Sequence, residues 1–305
     1  MARKKISLST NFRGLRLKNP VVLCSGTAGF GLELEEIFDF KNIGAIVTKT
    51  LTLRPQAGNP PPRIAETASG VLNSIGLENL GLKSFLGEFN KLKRLPADII
   101  VSVYAHTKED FKKMILRLDE ERHIKAIELN FSCPNLRIKK MISQSAQLTA
   151  SFVKYIRKAT KKVLIAKLTP EVTDIVKVAK SAYEAGIDGL SLVNTFSGIK
   201  IDTTTKKPFL GNVFGGLSGP AIKPLALARV FRVYKELKIP IIASGGIFDY
   251  QDALEFIFAG ATCIGLGTAN LIDPDAPRRI LKDLTFYMER NRISSLEEIR
   301  GVAHG

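Results

Sequence analysis

Short apolar runs recur along this chain, separated by longer stretches in which apolar residues return at every third or fourth position. The runs are rich in Ile, Val and Leu on both faces, which is typical of parallel strands covered on both sides. They predict eight strands: Val21–Cys24, Ala45–Thr48, Asp98–Val103, Ala126–Phe131, Val163–Leu168, Gly189–Val193, Pro240–Ala243 and Thr262–Leu266.

The stretches between the runs predict helices. Helical spacing places apolar residues on one face at Leu34–Phe40, Phe111–Leu118, Ile175–Glu184, Leu225–Leu237 and Asp252–Phe258. Regular alternation of eight strands with helices predicts an α/β fold, a (β/α)8 TIM barrel that forms one domain over residues 1–305. A doubly wound sheet is the alternative, and it is disfavoured because no GxGxxG motif follows the first strand.

Two long stretches interrupt this rhythm. Leu51–Phe89 is rich in Gly, Pro and Asn, and Asn194–Lys223 resembles it. The second contains Lys206-Lys207-Pro208, which predicts a hairpin turn. Long ordered insertions in a barrel usually serve binding, so we expect both at the C-terminal face of the barrel.

Charge and cysteine content restrict the partners. The chain has 45 Lys and Arg against 29 Asp and Glu, a formal net charge of +16. This charge favours acidic partners, but the basic clusters lack the aromatic interleaving of a nucleic-acid groove, so we expect a solvated basic surface and no nucleic acid. Cys24, Cys133 and Cys263 are too widely spaced for a disulfide framework or a CxxC metal site. Without a secretory signal or a membrane-length apolar run, we expect a cytoplasmic protein that does not bind membranes.

The predicted strands all end in residues that suit a binding site. In a TIM barrel the active site lies at the C-terminal ends of the strands. Each residue alone has an ordinary explanation, such as a surface lysine or a turn glycine, but together they indicate a functional rim. In strand order, these ends are Ser25-Gly26, Lys49, Ser102, Asn130, Lys167, Asn194-Thr195, Ser244-Gly245-Gly246 and Gly267-Thr268.

The glycines and lysines of this rim predict anion binding. Gly245, Gly246 and Gly267 let backbone N–H groups approach a ligand, and barrels commonly bind a phosphate after strands seven and eight. A buried lysine requires an anion, so Lys49 and Lys167 would face a reduced flavin or a substrate carboxylate. The alternative is that both lysines extend to solvent.

Amides and a thiol predict the substrate chemistry. Asn73, Asn130, Asn135 and Asn194 carry donors and acceptors that match a planar pyrimidine, although Asn73 and Asn135 also suit turns. Cys133 precedes Pro134 in the loop after strand four and can act as a general base if its thiolate is accessible. The alternative, an inert buried thiol, is expected for Cys24 and Cys263.

These motifs resemble the class 1 dihydroorotate dehydrogenases, most of all the NAD-linked class 1B catalytic subunit. The most specific segments are Asn73–Leu77 and Asn130–Asn135, which are shared with the similar dihydropyrimidine dehydrogenase module. The segments Arg63–Thr67 and Gly267–Asn270 are similar to the NAD-linked type. Further matching segments are Asn19-Pro20, Thr48–Thr50, Gly58–Arg63, Lys167–Pro170, Val193–Thr195, Gly216–Pro220 and Gly265–Asn270.

The resemblance implies FMN-dependent oxidation of (S)-dihydroorotate to orotate in de novo pyrimidine (UMP) biosynthesis. Cys133 would remove the proton from C5, and a hydride would pass from C6 to N5 of FMN. The substrate-binding residues implied are Lys49, Asn73, Gly76, Leu77, Asn130, Asn135, Asn194 and Thr195. The cofactor-binding residues implied are Ser25, Gly26, Lys49, Thr50, Ser102, Asn130, Lys167, Val193, Gly219, Gly245, Gly246, Gly267 and Thr268.

The resemblance also implies partners. The NAD-linked type works with a second subunit that carries FAD and a [2Fe-2S] cluster. We expect a homodimer of this chain, which such a partner would extend to a heterotetramer; the fumarate-using type is a homodimer without that partner. This chain has neither a cluster motif nor a dinucleotide fingerprint, so NAD+ would be reached through the partner. Two departures from the family pattern concern Ser102, where an Asn-containing segment is usual, and Leu136–Lys140, where glycines are usual.

Three other functions compete with this one. A tRNA-dihydrouridine synthase is another FMN barrel, but it usually adds a helical RNA-binding domain that is not visible here. A catalytically inactive barrel that serves as a binding scaffold would be colourless. A related pyrimidine reductase would take uracil or thymine, which lack the carboxylate of orotate.

Overall fold

Eight short apolar strands pair in parallel, each with the next along the chain, and the eighth closes on the first. The computed structural model describes residues 6–135 and 140–305. The closed sheet confirms the (β/α)8 TIM barrel, excludes the doubly wound alternative, and agrees with the predicted strand bounds to within two residues. Labelled for the barrel alone, the strands are β1 Val21–Leu23, β2 Ala45–Val47, β3 Asp98–Val103, β4 Ile124–Asn130, β5 Val163–Lys167, β6 Gly189–Leu192, β7 Ile241–Ser244 and β8 Cys263–Leu266.

Helices surround the barrel, and four of the five predicted ones are confirmed. The helix predicted at Leu34–Phe40 is wrong: two 3-10 turns, Leu32–Leu34 and Phe40–Asn42, stand there instead. Asp39 between them is extended, and its side chain accepts a hydrogen bond from the backbone N–H of Lys41, which starts a new turn. The helices are α1 Gly81–Leu92, α2 Lys108–Asp119, α3 Ala146–Arg157, α4 Ile175–Glu184, α5 Lys223–Leu237, α6 Tyr250–Phe258, α7 Thr268–Ile272 and α8 Ala276–Arg290.

Each helix covers the barrel with one apolar face. In α2, Phe111, Met114, Ile115 and Leu118 are fully buried, and the Thr107 side chain caps the first turn. Single 3-10 turns also occur at Ile142–Gln144, Pro220–Ile222, Leu296–Glu298 and Val302–His304. Within the described parts of the chain, no helix combines the length and apolar character needed to cross a bilayer.

An N-terminal hairpin closes the lower end of the barrel. Its strands are Thr10–Phe12 and Leu15–Leu17, and the side chains of Phe12, Leu15 and Leu17 join the apolar cluster inside the barrel. Gly189, at the start of β6, makes room for the Phe12 ring, because a Cβ there would lie 2.3 Å from Phe12 Cε1. The floor of the barrel is therefore apolar and filled.

The upper interior of the barrel is polar. Side chains alternate across a strand, so residues two positions beyond an interior apolar residue also point inward. On β3 and β4 this alternation leads from Ile100 to Ser102 and from Ala126 to Glu128. On β5 it leads to Lys167. The same sequence pattern thus fills the floor with apolar groups and the mouth with polar ones.

The two long insertions meet in a four-stranded antiparallel sheet. The sheet has the order Phe196–Ile199, Phe214–Ser218, Gly70–Asn73, Ile64–Thr67. It brings Asn73, from the first insertion, beside Gly216, from the second. The predicted hairpin is confirmed, since Ile201–Asp202 pairs with Lys207–Pro208, but its turn lies at residues 203–206, and Lys207-Pro208 begin the returning strand. A further backbone pairing joins Pro134–Asn135 to Lys140–Met141.

Candidate active site

A row of hydrogen bonds crosses the C-terminal ends of neighbouring barrel strands. Thr50 Oγ1 lies 3.1 Å from Ser25 Oγ and 2.9 Å from Ser102 Oγ. The Asn130 amide donates to the same Thr50 oxygen at 3.1 Å. The structure thus brings together four residues that the sequence places far apart and that we predicted at the site.

The row continues from Asn130 to Asn194 through a residue that sequence analysis did not select. Asn130 Oδ1 accepts hydrogen bonds from the Ser132 hydroxyl at 2.8 Å and from the Ser132 backbone N–H at 3.3 Å. The Asn194 amide donates to Ser132 Oγ at 2.5 Å, and Asn194 Oδ1 accepts from the Thr195 backbone N–H at 2.8 Å. Ser132 therefore links the amides of two predicted substrate-binding residues.

Ser102 stands behind the wall of the site rather than in it. Its exposed fraction is 0%, and its hydroxyl donates to Glu128 Oε1 at 2.8 Å. A side chain without accessible surface offers no direct contact to a cofactor in this conformation, so the predicted cofactor contact of Ser102 is replaced by a supporting contact to Thr50. Glu128 was also missed, although a carboxylate within an apolar strand run was a visible signal.

The three thiols occupy different depths. Burial raises the pKa of Cys133 to about 11, while the charge of Lys167 and a hydrogen bond from the Asn130 amide oppose the rise. Burial likewise raises the pKa of Cys24 to about 11, again against Lys167. Cys263 lies near the floor, 3.6 Å from Thr10 Oγ1, and burial raises its pKa to about 12. The charge of Lys167 thus lowers the pKa of both thiols at the barrel mouth.

Lys49 enters the site at the end of β2 and meets an acidic partner. Its Nζ lies 3.7 Å from Glu78 Oε2, and the same oxygen accepts a hydrogen bond from Arg63 Nη1 at 2.9 Å. Glu78 was not predicted, because nothing in its local sequence indicates the pairing. The ion pair keeps the lysine head at the mouth of the barrel, where an anionic ligand would compete with Glu78.

The loop before Glu78 is held by an asparagine. Gly76 and Leu77 have positive φ angles of 74° and 57°. The Asn79 amide donates to the Leu77 carbonyl at 2.7 Å and to Thr52 Oγ1 at 2.8 Å. These bonds fix the predicted substrate-binding residues Gly76 and Leu77 near the end of β2.

Asn73 and Thr195 approach each other across a glycine. The Asn73 amide donates to the Gly216 carbonyl at 3.2 Å. A Cβ on Gly216 would lie 2.0 Å from Thr195 Oγ1, so only glycine permits this packing. The antiparallel sheet thereby adds two more predicted substrate-binding residues to the rim.

Glycines form a tight backbone cradle on the other side of the mouth. Gly245 and Gly246 have φ angles of 130° and 76°, and a Cβ on Gly246 would lie 2.9 Å from the Gly219 carbonyl oxygen. The Thr268 hydroxyl donates to Ser218 Oγ at 2.8 Å, just after Gly267. Backbone brought this close, free of side chains, suits a phosphate-bearing group.

Val193 joins the cradle to the rest of the rim. Its carbonyl accepts a hydrogen bond from Ser244 Oγ at 3.1 Å, and its N–H donates to the Ser244 carbonyl at 3.3 Å. Gly26, beside Ser25, is exposed at the end of β1. The side chain of Asn135 and the segment 136–139 lie outside the described residues, so the predictions made for them stay predictions.

Two further observations delimit the site. Among the described residues, no group of three or more His, Cys, Asp or Glu side chains is arranged to hold a metal ion. A surface groove of about 430 Å³, lined by Ser9, Thr10, Asn11, Arg16, Glu297 and Arg300, lies beside the N-terminal hairpin at the opposite end of the barrel. The groove shares no residue with the rim, and the rim has the chemistry of a catalytic site.

Comparison with known proteins points to one family. A family model described as dihydroorotate dehydrogenase matches residues 7–288. The chain is 44% identical over 300 residues to "Dihydroorotate dehydrogenase B (NAD(+)), catalytic subunit" of Geotalea daltonii, covering 98% of both chains. It is 44% identical over 302 residues to the protein of the same name from Desulforudis audaxviator, again covering 98% of both.

A solved structure supports the same assignment. The crystal structure of DHODH from Eimeria tenella in complex with ferulenol superposes with a TM-score of 0.81 at 25% sequence identity, covering 100% of this chain and 90% of that one. The matches extend over the barrel strands and the insertions that build the rim. The chain therefore belongs to the dihydroorotate dehydrogenase family.

Proposed function

We propose that this chain is the catalytic subunit of an FMN-dependent enzyme that oxidises (S)-dihydroorotate to orotate in UMP biosynthesis. The observation that carries the proposal is the hydrogen-bonded row from Thr50 through Asn130 and Ser132 to Asn194, next to Cys133 and Lys167. It combines amide groups that can hydrogen-bond a pyrimidine, a thiol that can remove the C5 proton of the substrate, and a cation that can stabilise the reduced flavin ring. Membership of a flavin-dependent family is consistent with this chemistry.

The residues present fit FMN. The backbone of Gly219, Gly245, Gly246 and Gly267 and the hydroxyl of Thr268 would hold the phosphate. Gly219, Gly245 and Gly246 have positive φ angles and pack too closely for a Cβ, so they present backbone without side chains at this part of the rim. Lys167 would face the N1–C2=O edge of the ring, and Ser25, Thr50 and Val193 would line it. When bound, FMN supplies the acceptor for the hydride that leaves C6 of the substrate.

The substrate would be held by the other half of the rim. Asn73, Asn130, Asn194 and Thr195 would hydrogen-bond the pyrimidine ring, together with Asn135. Lys49 would bind the carboxylate, which distinguishes orotate from uracil. Gly76 and Leu77 would close over the ring from the loop that Asn79 fixes.

Cys133 would act as the general base for the C5 proton. Its thiol is largely protonated at neutral pH because burial raises its pKa to about 11. The Lys167 charge and the Asn130 hydrogen bond both favour the thiolate that must form. Lys167, which would face the flavin ring, and Asn130, which would bind the pyrimidine, therefore both favour ionisation of Cys133.

We further propose a partner subunit. The similar proteins of Geotalea daltonii and Desulforudis audaxviator are named NAD(+)-linked catalytic subunits. A second subunit that carries FAD and a [2Fe-2S] cluster would pass electrons to NAD+, and two copies of each would form a heterotetramer in the cytoplasm around a dimer of this chain.

The test is anaerobic mixing of the FMN-loaded protein with dihydroorotate. Bleaching of the flavin band supports the proposal, and a band that stays unchanged contradicts it. Orotate should displace uracil from the site, whereas tighter binding of uracil would favour a pyrimidine reductase. A protein that takes up no flavin would favour a binding scaffold, and salt-sensitive binding of tRNA would favour a dihydrouridine synthase.

A further inference from the structure

A buried carboxylate lies directly behind the candidate site. Glu128 is 1% exposed, and its Oε1 accepts a hydrogen bond from Ser102 Oγ at 2.8 Å. The two residues are register partners on β4 and β3, and the interior positions below them are the apolar Ala126 and Ile100. Burying a charge is unfavourable unless it is paired or hydrogen-bonded, so apolar packing alone does not account for Glu128.

The carboxylate determines the direction of the neighbouring hydrogen bonds. Ser102 donates its single hydroxyl proton to Glu128 Oε1, so this proton is committed to the carboxylate. In its 2.9 Å contact with Thr50, Ser102 must then be the acceptor and Thr50 the donor. The two lone pairs of the Thr50 oxygen are left to accept from Ser25 Oγ and from the Asn130 amide, each at 3.1 Å.

At Ser132, on the other side of Asn130, the hydrogen bonds favour the same orientation of the Asn130 amide. The backbone N–H of Ser132 can only donate, and it donates to Asn130 Oδ1 at 3.3 Å. The Asn130 oxygen therefore faces Ser132, and its nitrogen faces Thr50. One N–H group of this nitrogen goes to Thr50, and hydrogen bonding by the Asn130 amide lowers the pKa of the Cys133 thiol.

We propose that Glu128 is a positioning residue for the dihydroorotate site: through Ser102 it keeps the Thr50 oxygen an acceptor for the Asn130 N–H, and so stabilises the amide orientation in which the Asn130 oxygen faces Ser132. This inference rests on the proposed function. Glu128 acts through three intervening residues, so it needs no contact with the substrate. Ser102, which departs from the family pattern, is the residue that connects the carboxylate to the row.

Orientation and charge predict opposite effects of Glu128 on the base. By its charge, the carboxylate raises the pKa of the Cys133 thiol, whereas the hydrogen bond from Asn130 lowers it. Removing the charge alone would make Cys133 easier to ionise. Losing the direction of the hydrogen bonds would make Cys133 harder to ionise and would weaken the binding of the pyrimidine.

The variant Glu128→Gln separates these effects. Gln has nearly the same size, but it donates as well as accepts, so the Ser102 proton is no longer committed. We expect flavin reduction by dihydroorotate at pH 7 to slow about tenfold and the calorimetric Kd of orotate to rise about tenfold, the effect of one misdirected buried hydrogen bond. A faster reaction, or unchanged rate and affinity, would overturn the proposal.

A double-mutant cycle tests the route. Thr50→Val removes the hydroxyl that links Ser102 to Asn130, and Thr50→Ser keeps it. In the Thr50→Val protein, Glu128→Gln should cause no further loss of rate or of orotate affinity, whereas in the Thr50→Ser protein it should cause its full loss. Additive losses in the Thr50→Val protein would show that Glu128 acts by another route and would overturn the proposal.

Two controls keep the result interpretable. If Glu128→Gln fails to fold, as judged by circular dichroism and flavin content, Ser102→Ala removes the same link and takes its place in the cycle with the same expectations. If the wild-type flavin is not bleached by dihydroorotate, the proposed function is wrong. If the wild type reacts and the losses are additive, only the role of Glu128 is wrong.

Discussion

Lys49 Nζ lies 3.7 Å from Glu78 Oε2, so the lysine proposed to bind the substrate carboxylate already has an anionic neighbour. Glu78 is shared with Arg63 and is about half exposed, which limits its contribution to stability. The pair instead sets a competition at the mouth of the barrel. An incoming carboxylate must take the lysine from Glu78.

The first prediction follows from this competition. Glu78→Gln should tighten orotate binding by about threefold, because a negative charge next to an anionic ligand is removed while the side-chain shape is kept. The measurement is titration of the FMN-loaded protein with orotate. Glu88→Gln is the matched control, since Glu88 pairs with Lys91 on the exposed surface of α1 and should leave the affinity unchanged. Weaker binding to the Glu78→Gln protein would mean that Glu78 holds Lys49 in place rather than competing for it.

The second prediction concerns the base. Cys133→Ala should slow flavin reduction by dihydroorotate by about 10²- to 10⁴-fold, the usual contribution of a general base, while FMN stays bound. Stopped-flow measurement of the flavin band under anaerobic conditions gives the rate. Cys263→Ala, which changes a thiol near the floor of the same barrel, should leave the rate unaltered. Equal rates for the Cys133→Ala protein and the wild type would remove Cys133 from the mechanism.

The third prediction is the pH dependence of this step. The thiolate is the active form, and the pKa of Cys133 is raised to about 11, so the thiolate fraction grows about tenfold for each pH unit below that value. The logarithm of the flavin reduction rate should therefore rise with a slope near one between about pH 6 and pH 9. A rate that is flat over this range would indicate that substrate binding already ionises the thiol or that another group is the base.

The fourth prediction tests the glycine cradle. Gly246→Ala should abolish retention of FMN, because the new Cβ would lie 2.7 Å from Lys223 Cβ and 2.9 Å from the Gly219 carbonyl, at a φ of 76°. Flavin content after gel filtration and the Tm are the measurements. Gly87→Ala is the control: a Cβ at this exposed helical position meets nothing within 4 Å, and it should keep FMN and stabilise the fold by about 1 kcal/mol. Normal flavin content in the Gly246→Ala protein would place the phosphate elsewhere.

The sequence allowed the barrel to be predicted because its parallel strands are buried on both faces and read as short apolar runs. Helix α1 was not predicted, although Leu82, Phe85, Phe89 and Leu92 follow helical spacing, because Gly, Pro and Asn dominate the stretch before it. The segment Leu34–Phe40 has helical spacing too, but Asp39 begins a separate turn.

The rim residues could be predicted from their place at the strand ends, but their supporting partners could not. Ser102 and Glu128 are 26 residues apart and meet only because β3 and β4 pair in one particular register. Glu78 reaches Lys49 through a loop whose conformation depends on Asn79. Such partners depend on tertiary distances, which local residue patterns do not encode.

The hairpin that inserts Phe12 between the strand starts fills the floor of the barrel, so in the described part of the chain the interior is open to ligands at the C-terminal ends of the strands. Dihydroorotate and orotate would have to pass through the same opening, so each product would have to depart before the next substrate could bind. An electron carrier, too, would have to approach from the C-terminal face or from the outer side of the barrel. Because the floor is filled, substrate and product would enter and leave one after the other. Both would pass the two insertions that surround the opening.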